Sequence, residues 1–110
     1  MAMTREEIAQ IFPEMLAHFN PAKAQGIDAR IQFELGGDNG GSYWVSVVDG
    51  VAKSGEGKID EPDMTIKAQA DDYAAMAQGE LNPMQAFMSG RVKVQGEMAL
   101  AMRFMNMFNG

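Results

Sequence analysis

Apolar and polar residues alternate along three stretches of the chain, as they do in β-strands that bury one face. The alternation runs from Ile27 to Leu35, from Ser42 to Asp49 and from Met64 to Gln69. Because successive side chains of a strand point to opposite faces, each stretch predicts a strand with one apolar face. Two further strands are predicted, a weaker one at Val51 to Gly57 after the Asp-Gly hairpin signal, and one at Arg91 to Gln95.

Apolar residues recur at helical spacing before the first strand. Thr4 and Glu7 have the spacing of a capping box and predict the start of this helix. Pro13 lies inside the apolar stripe, where its ring and missing N–H are expected to kink the helix or split it near Phe12. The stripe itself predicts a helix that covers the apolar face of the strands.

Two short helices are predicted between the fourth and fifth strands. The first is expected to be capped by Asp71 or Asp72, and the second by Asn82 with Pro83 in its first position. The glycine-rich loop at positions 36 to 41 has neither the Lys-Ser/Thr of a phosphate-binding loop nor a helix after it. It is interpreted as a hairpin turn.

The last predicted helix, Met98 to Phe108, is apolar nearly all round, because only Arg103 and Asn106 are polar. Helical geometry groups Met98, Ala101, Met102, Met105 and Phe108 on one face, and Leu100, Phe104 and Met107 largely on the other. Such a helix must be covered on two sides, by its own domain and by a partner chain, a membrane or a bound apolar molecule. The run is too short to span a bilayer, which needs about 20 residues. We favour a bound apolar molecule.

The predicted elements group strands early and helices late, which favours an α+β fold over alternating α/β units. Each strand has one apolar face. We therefore expect a single twisted, mostly antiparallel five-stranded sheet with helices on one face and water on the other. The 110 residues are expected to form one domain, residues 1–110.

Charge and composition exclude several classes of function. A net charge of -6 argues against nucleic-acid binding and weakens tight docking on anionic membranes. Without cysteine the chain has no disulfide, thiolate zinc site or cysteine nucleophile. Because no apolar signal-peptide core lies near its start, the chain is expected to be cytoplasmic. His18 is the only histidine, and no acid or nucleophile is placed by sequence to work with it. We predict no catalytic residue, no metal site and no cofactor.

A motif of fixed spacing overlaps the short helices, the last strand and the final helix. Its elements are Gly79, Leu81-Asn82-Pro83, Ala86-Phe87, Gly90, Val92-Lys93-Val94, Gly96 and Leu100-Ala101-Met102. The motif resembles the C-terminal signature of the sterol carrier protein 2 family, and a looser similarity extends over nearly the whole chain. The resemblance implies a lipid-binding or lipid-transfer domain with an apolar cavity between sheet and helices. The ligands that it implies are a fatty acid, an acyl-CoA, a sterol or an isoprenoid.

Inward apolar residues of the first helix, the sheet and the later helices are the candidates for lining that cavity. They are Phe12, Met15, Phe19, Ile31, Phe33, Met64, Met76, Phe87, Met88, Met98, Leu100, Met102, Met105 and Phe108. Eight of the 11 methionines fall from Met64 onward. Methionine is unbranched and polarizable, which suits an adaptable apolar space as well as ordinary core packing.

A second hypothesis is a non-catalytic interaction module. Members of the family that the chain resembles occur as parts of larger enzymes and as accessory factors. In that case a partner chain or a homodimer would bury the final helix, and transient membrane contact is compatible with either hypothesis. Trp44 lies on the strand face opposite Tyr43 and Val45, so it is expected to be exposed or to meet a partner.

Overall fold

A computed structural model describes residues 3–107, except for the side chains of Met98, Met102, Met105, Asn106 and Met107. The helices are α1 (Arg5–Leu16), α2 (Ala70–Ala77), α3 (Pro83–Met88) and α4 (Met98–Met107), with a 3-10 turn at Pro21–Ala24. The strands are β1 (Ala29–Gly36), β2 (Gly41–Val48), β3 (Val51–Glu56), β4 (Met64–Gln69) and β5 (Val92–Gly96). All five predicted strands are present.

The strands form one sheet in the order β3-β2-β1-β4-β5. The pairs β1–β2, β2–β3 and β4–β5 are antiparallel, whereas β1 and β4 are parallel. The predicted α+β fold with a mostly antiparallel five-stranded sheet is confirmed. The central strand is β1, and β3 and β5 are the two edges.

The helices cover one face of the sheet, which we call the inner face. Ile31 of β1 and Val45 of β2 are paired in register on this face, and both are fully buried. Helix α1 packs against β2 and β3, α2 against β1 and β4, and α3 and α4 against β5. The alternating pattern in the sequence therefore identified the buried side of β1, β2, β4 and β5.

Helix α1 begins at the predicted capping box. The Thr4 N–H donates to a carboxylate oxygen of Glu7 at 2.9 Å, and the Glu7 N–H donates to the Thr4 hydroxyl at 3.1 Å. Hydrogen bonds from Thr4 to the Glu7 carboxylate, first of all from its backbone N–H, lower the pKa of Glu7. The predicted split at Pro13 is wrong, because the helix is continuous to Leu16. Pro13 is exposed near the helix end, where its missing N–H costs one hydrogen bond while the buried residues before it hold the helix on the sheet.

The caps of the two short helices differ from each other. Asn82 caps α3 as predicted, since its side-chain oxygen accepts from the N–H of Met84 at 2.8 Å. The cap predicted for α2 is wrong, because α2 follows β4 directly and Gln69 occupies the cap position without a side-chain hydrogen bond. Asp71 and Asp72 lie inside its first turn, where their negative charge interacts favourably with the helix dipole.

The orientation of α4 also differs from the prediction. Ala101 and Phe104 are both buried and Leu100 is half-buried, so residues that were assigned to opposite faces share the side that meets the domain. A helix that is apolar all round has no polar face to orient it, and the choice is made by packing against β5 and the 3-10 turn. Phe108 lies outside the described residues.

An aromatic cluster fills the space between α1, α2 and the centre of the sheet. Phe12 stacks on Tyr43 with ring centroids 4.5 Å apart and on Tyr73 at 5.5 Å. Phe33 meets Phe12 edge-on at 5.0 Å and Tyr73 at 5.6 Å. Burial raises the pKa of the Tyr73 phenol, because the phenolate would lose its hydration.

The outer face of the sheet is not simply open to water, as the alternating pattern had predicted. The connection from β3 to β4 crosses this face, and the side chain of Gln32 is buried beneath it with 4% exposure. Its amide donates to the carbonyls of Tyr43 and Gly57, both at 3.0 Å, and its oxygen accepts from the N–H of Ile59 at 2.9 Å. Trp44 beside it is half-buried over Gly55, where an added Cβ would lie 2.5 Å from the indole ring.

Replacing Gln32 by Ala should lower the free energy of unfolding by about 2 kcal/mol, because the N–H of Ile59 and the carbonyl of Gly57 lose a buried partner. Urea unfolding measures the change. Gln95→Ala is the matched control, since Gln95 is exposed on the same face, and it should change the free energy by less than about 0.5 kcal/mol. Equal losses for the two variants would contradict the role assigned to Gln32.

Tyr73→Phe should flatten the loss of stability at alkaline pH. The unfolded phenol ionises near 10, whereas the folded phenol stays neutral well above that pH, so the unfolded state releases a proton that the folded state keeps. This group therefore stabilises the fold fully below pH 10, and its contribution falls by about 1.4 kcal/mol per pH unit above it. Urea unfolding of both proteins at about pH 9 and about pH 11 tests the difference in slope. Parallel pH dependences would exclude this contribution.

Candidate functional site

The inner face is closed over one half of the sheet and less completely covered over the other. On β1 and β2 the inward residues are fully buried beneath α1 and the aromatic cluster. Ile66 of β4 and Val94 of β5 are paired in register on the same inner face, yet both are only half-buried. Among β2, β1, β4 and β5, the incompletely covered apolar residues therefore lie towards the β5 edge.

Further half-buried apolar side chains come from the segments that pack on these strands. Met76 belongs to α2, Leu81 to the connection before α3, and Leu100 to α4. We call these three side chains, together with Ile66 and Val94, the β4–β5 apolar surface. The surface offers dispersion contacts to an apolar chain, and none of its side chains can take part in acid–base or nucleophilic chemistry.

The cavity-lining residues predicted from the sequence fall into four groups. Phe12, Ile31, Phe33 and Met64 are buried in the packed core, and Met15, Phe19, Met76 and Leu100 are half-buried around it. Phe87 and Met88 are exposed on α3. The side chains of Met98, Met102 and Met105, and all of Phe108, lie outside what the structure describes. Ligand contact by any of these residues, and the cavity itself, remain predictions.

The sequence reasoning left Ile66, Val94 and Leu81 out of the candidate lining. The alternating pattern shows that Ile66 and Val94 point inward, but it cannot show how completely a helix covers them. Position in the sheet would have been the signal, because an inward residue near an edge has fewer helices above it than one on the central strand. That position depends on the parallel β1–β4 pairing, which the pattern does not specify.

Polar side chains form clefts elsewhere on the molecule. An open cleft of about 570 Å³ on the outer face is lined by charged residues, including Arg30, Lys53 and Asp60, and by apolar ones, among them Trp44 and Val51. Its charged lining does not suit an apolar ligand. His18 is exposed after the end of α1. Among the residues that the structure describes, no three His, Cys, Asp or Glu side chains form a group that could hold a metal ion.

Within residues 3–107, no helix has both the length and the apolar character needed to cross a bilayer. The apolar character of α4 is therefore confined to a helix of 10 residues that packs on β5.

Solved structures of the same fold include two of different size. Palmitated SCP2L2 from Aedes aegypti superposes with a TM-score of 0.78 at 18% identity, over 98% of this chain and 96% of that one. The inverting sec-alkylsulfatase from Pseudomonas sp. gives a TM-score of 0.73 at 20% identity, over 91% of this chain but only 15% of the enzyme. The similarity to both is one of fold.

Curated relatives are more similar in sequence but much longer. Hydroxysteroid dehydrogenase-like protein 2 from Bos taurus is 37% identical over 79 residues, which are 71% of this chain and 19% of that protein. The human protein of the same name is 36% identical over 78 residues. The chain thus spans about a fifth of the length of these relatives.

A family-level comparison covers nearly the whole chain. The sequence profile of the SCP-2 sterol transfer family matches residues 12–109, from the second half of α1 to beyond α4. This range includes all five strands and the C-terminal motif that suggested the resemblance. The chain belongs to the SCP-2 sterol transfer family.

Proposed function

We propose that this domain binds one apolar chain on the β4–β5 apolar surface, beneath α4, and releases it by a shift of α4. The observation that carries the proposal is the half-burial of Ile66 and Val94 on a sheet face whose apolar residues on β1 and β2 are fully buried. An apolar ligand would complete that cover. Membership of the SCP-2 sterol transfer family supports the same assignment.

The hydrophobic effect is large enough for such a role without a polar anchor. Burial contributes about 0.8 kcal/mol per CH₂, so a chain of roughly sixteen carbons gains on the order of 12 kcal/mol before costs. Loss of translational freedom and ordering of the chain offset much of this gain. The remainder still allows a dissociation constant in the micromolar range or below.

A flexible fatty-acyl or isoprenoid chain fits this surface better than a rigid sterol. Met76 contributes an unbranched side chain that can follow the shape of its ligand. The palmitated state of the Aedes aegypti protein, which has the same fold, supports an acyl chain.

The domain would act without catalysing a reaction of its own, since its apolar surface holds no acid, base or nucleophile. A second candidate function is to present an apolar ligand to an enzyme. This candidate is favoured by the size of the relatives, because the matched region is only about a fifth of each dehydrogenase-like protein. In that case ligand binding and a protein interface would coexist on one domain.

Mass spectrometry of the purified protein, native and after organic extraction, should reveal a fatty acid or another chain lipid in a ratio near one per domain. The reason is that an apolar surface of this kind retains an apolar ligand from the host cell. Titration with a fluorescent fatty acid measures uptake by protein from which lipid has been removed. Protein that carries no lipid, takes up no probe and forms a dimer would overturn the proposal in favour of an interaction module.

Val94→Thr should weaken fatty-acid binding by about tenfold, because it replaces a methyl group by a hydroxyl of similar size that the ligand would desolvate. Thr has a high strand propensity, so β5 is preserved. Val51→Thr is the matched control. Val51 is 53% exposed on the opposite edge strand, and the same change there should leave affinity unaltered. Similar affinities for both variants would place the ligand elsewhere.

A further inference from the structure

Helix α3 exposes an apolar face to solvent. Met84, Phe87 and Met88 are 47%, 36% and 79% exposed, and their i, i+3, i+4 spacing groups them on one side of the helix. Ala86 is fully buried and provides the packing of α3 on the domain. Exposed apolar side chains that lie singly are ordinary, but three on one face of a two-turn helix form a patch.

The chain around this patch has an unusual charge. The molecule carries 15 acidic and nine basic residues, yet the stretch between Glu80 and Glu97 contains Arg91 and Lys93 and no acid. Both side chains are exposed. Lys93 is paired in register with Lys67 of β4, which is also exposed. Like charges directly opposite each other weaken a sheet, so this arrangement does not serve the stability of the fold.

The patch and the cations lie at the edge of the sheet where the β4–β5 apolar surface is found. Helix α3 packs on β5, and the Arg91 N–H donates to the Ala86 carbonyl at 2.9 Å, which fixes the end of α3 against the start of that strand. Val94, the residue after Lys93, lies on the opposite face of β5 and belongs to the β4–β5 apolar surface. A molecule that binds α3 would therefore approach the β5 edge.

We propose that α3 docks the domain on an anionic lipid bilayer. Met84, Phe87 and Met88 enter the boundary between headgroups and acyl chains, while Arg91 and Lys93 meet lipid phosphates and carboxylates. The acidic remainder of the molecule is repelled by the same surface, which turns the β5 edge towards the membrane. The proposal rests on the proposed function, because it brings the ligand surface to the place where an apolar chain is collected or delivered.

The size of the patch favours a bilayer over a second protein as the occupant. A stable protein interface buries about 800 Å² on each partner, with some 20 to 30 residues a side. Helix α3 has six residues and is only about 9 Å long, so its three apolar side chains cover much less than that area. Shallow insertion into a bilayer requires no matching shape, and a few apolar side chains with adjacent cations are sufficient for reversible binding.

Flotation with phosphatidylcholine vesicles, with and without phosphatidylserine, tests the proposal. The double variant Met84→Gln/Met88→Gln should lower partitioning about tenfold on both kinds of vesicle, since it removes apolar insertion. Glutamine matches methionine in length and helix propensity, so α3 is preserved, and thermal unfolding checks this. Arg91→Gln/Lys93→Gln should lower partitioning only on phosphatidylserine vesicles, with the difference disappearing at high salt. Val51→Gln, an equally exposed apolar position on the other edge, should behave as wild type.

Two results would overturn the docking role. One is partitioning of the methionine variant that equals that of Val51→Gln. The other is a wild-type dimer that the methionine variant converts to monomer, because the patch would then be a protein interface. Uptake of a fluorescent fatty acid without vesicles separates this proposal from the proposed function. Arg91→Gln/Lys93→Gln should take up the fatty acid as wild type does. If wild-type protein binds vesicles through α3 but takes up no fatty acid, the proposed function is refuted and the docking role is not.

Discussion

The hydrogen bonds of Gln32 hold the connection on which the arrangement of the whole sheet depends. After β3 the chain stands at one edge, and β4 must be placed beside β1 on the far side of β2. The side chain of Gln32 binds the crossing segment at Gly57 and Ile59, and Arg30 and Asp63 exchange two hydrogen bonds of 2.8 Å where β4 begins. This anchor acts together with the β1–β4 ladder to fix the position of β4 and of the β5 edge.

Periodicity in the sequence predicted most of the fold because an alternating strand reports its own buried side. The pattern does not show what covers the opposite face of the strand, so Gln32 was predicted to be exposed to water. The same limit explains α4, where a uniformly apolar helix leaves its orientation to packing. The cap of α2 was misplaced because β4 runs into the helix without the turn that an aspartate cap would need. Phe87 and Met88 were expected to point inward. Apolar character alone does not distinguish a side chain buried in the core from one exposed on the surface.

The candidate site differs from the rest of the inner face in how far its helices cover it. Beneath α1 the stacked rings of Phe12, Tyr43 and Tyr73 leave the sheet fully packed. Towards β5 the cover is supplied by two-turn helices and by α4, which meets the domain through Ala101 and Phe104. A packed half gives the domain its stability, while the half at the β5 edge has the incomplete packing that an exchangeable ligand requires. The division follows from the sheet order, which places the longest helix over β2 and β3 and three shorter ones over β1, β4 and β5.

Parallel pairing of β1 with β4 also orders the events of folding. The β1–β2 and β2–β3 hairpins close short loops, whereas Asp63 must find Arg30 across 33 positions of the chain. Pairing over such a distance is slow, so the β4–β5 half is expected to assemble last. A ligand held there would stabilise contacts that are absent from the transition state. The ligand would slow unfolding rather than accelerate folding. The folded state would therefore have a longer lifetime with ligand than without it, and the difference would grow with the affinity for the ligand.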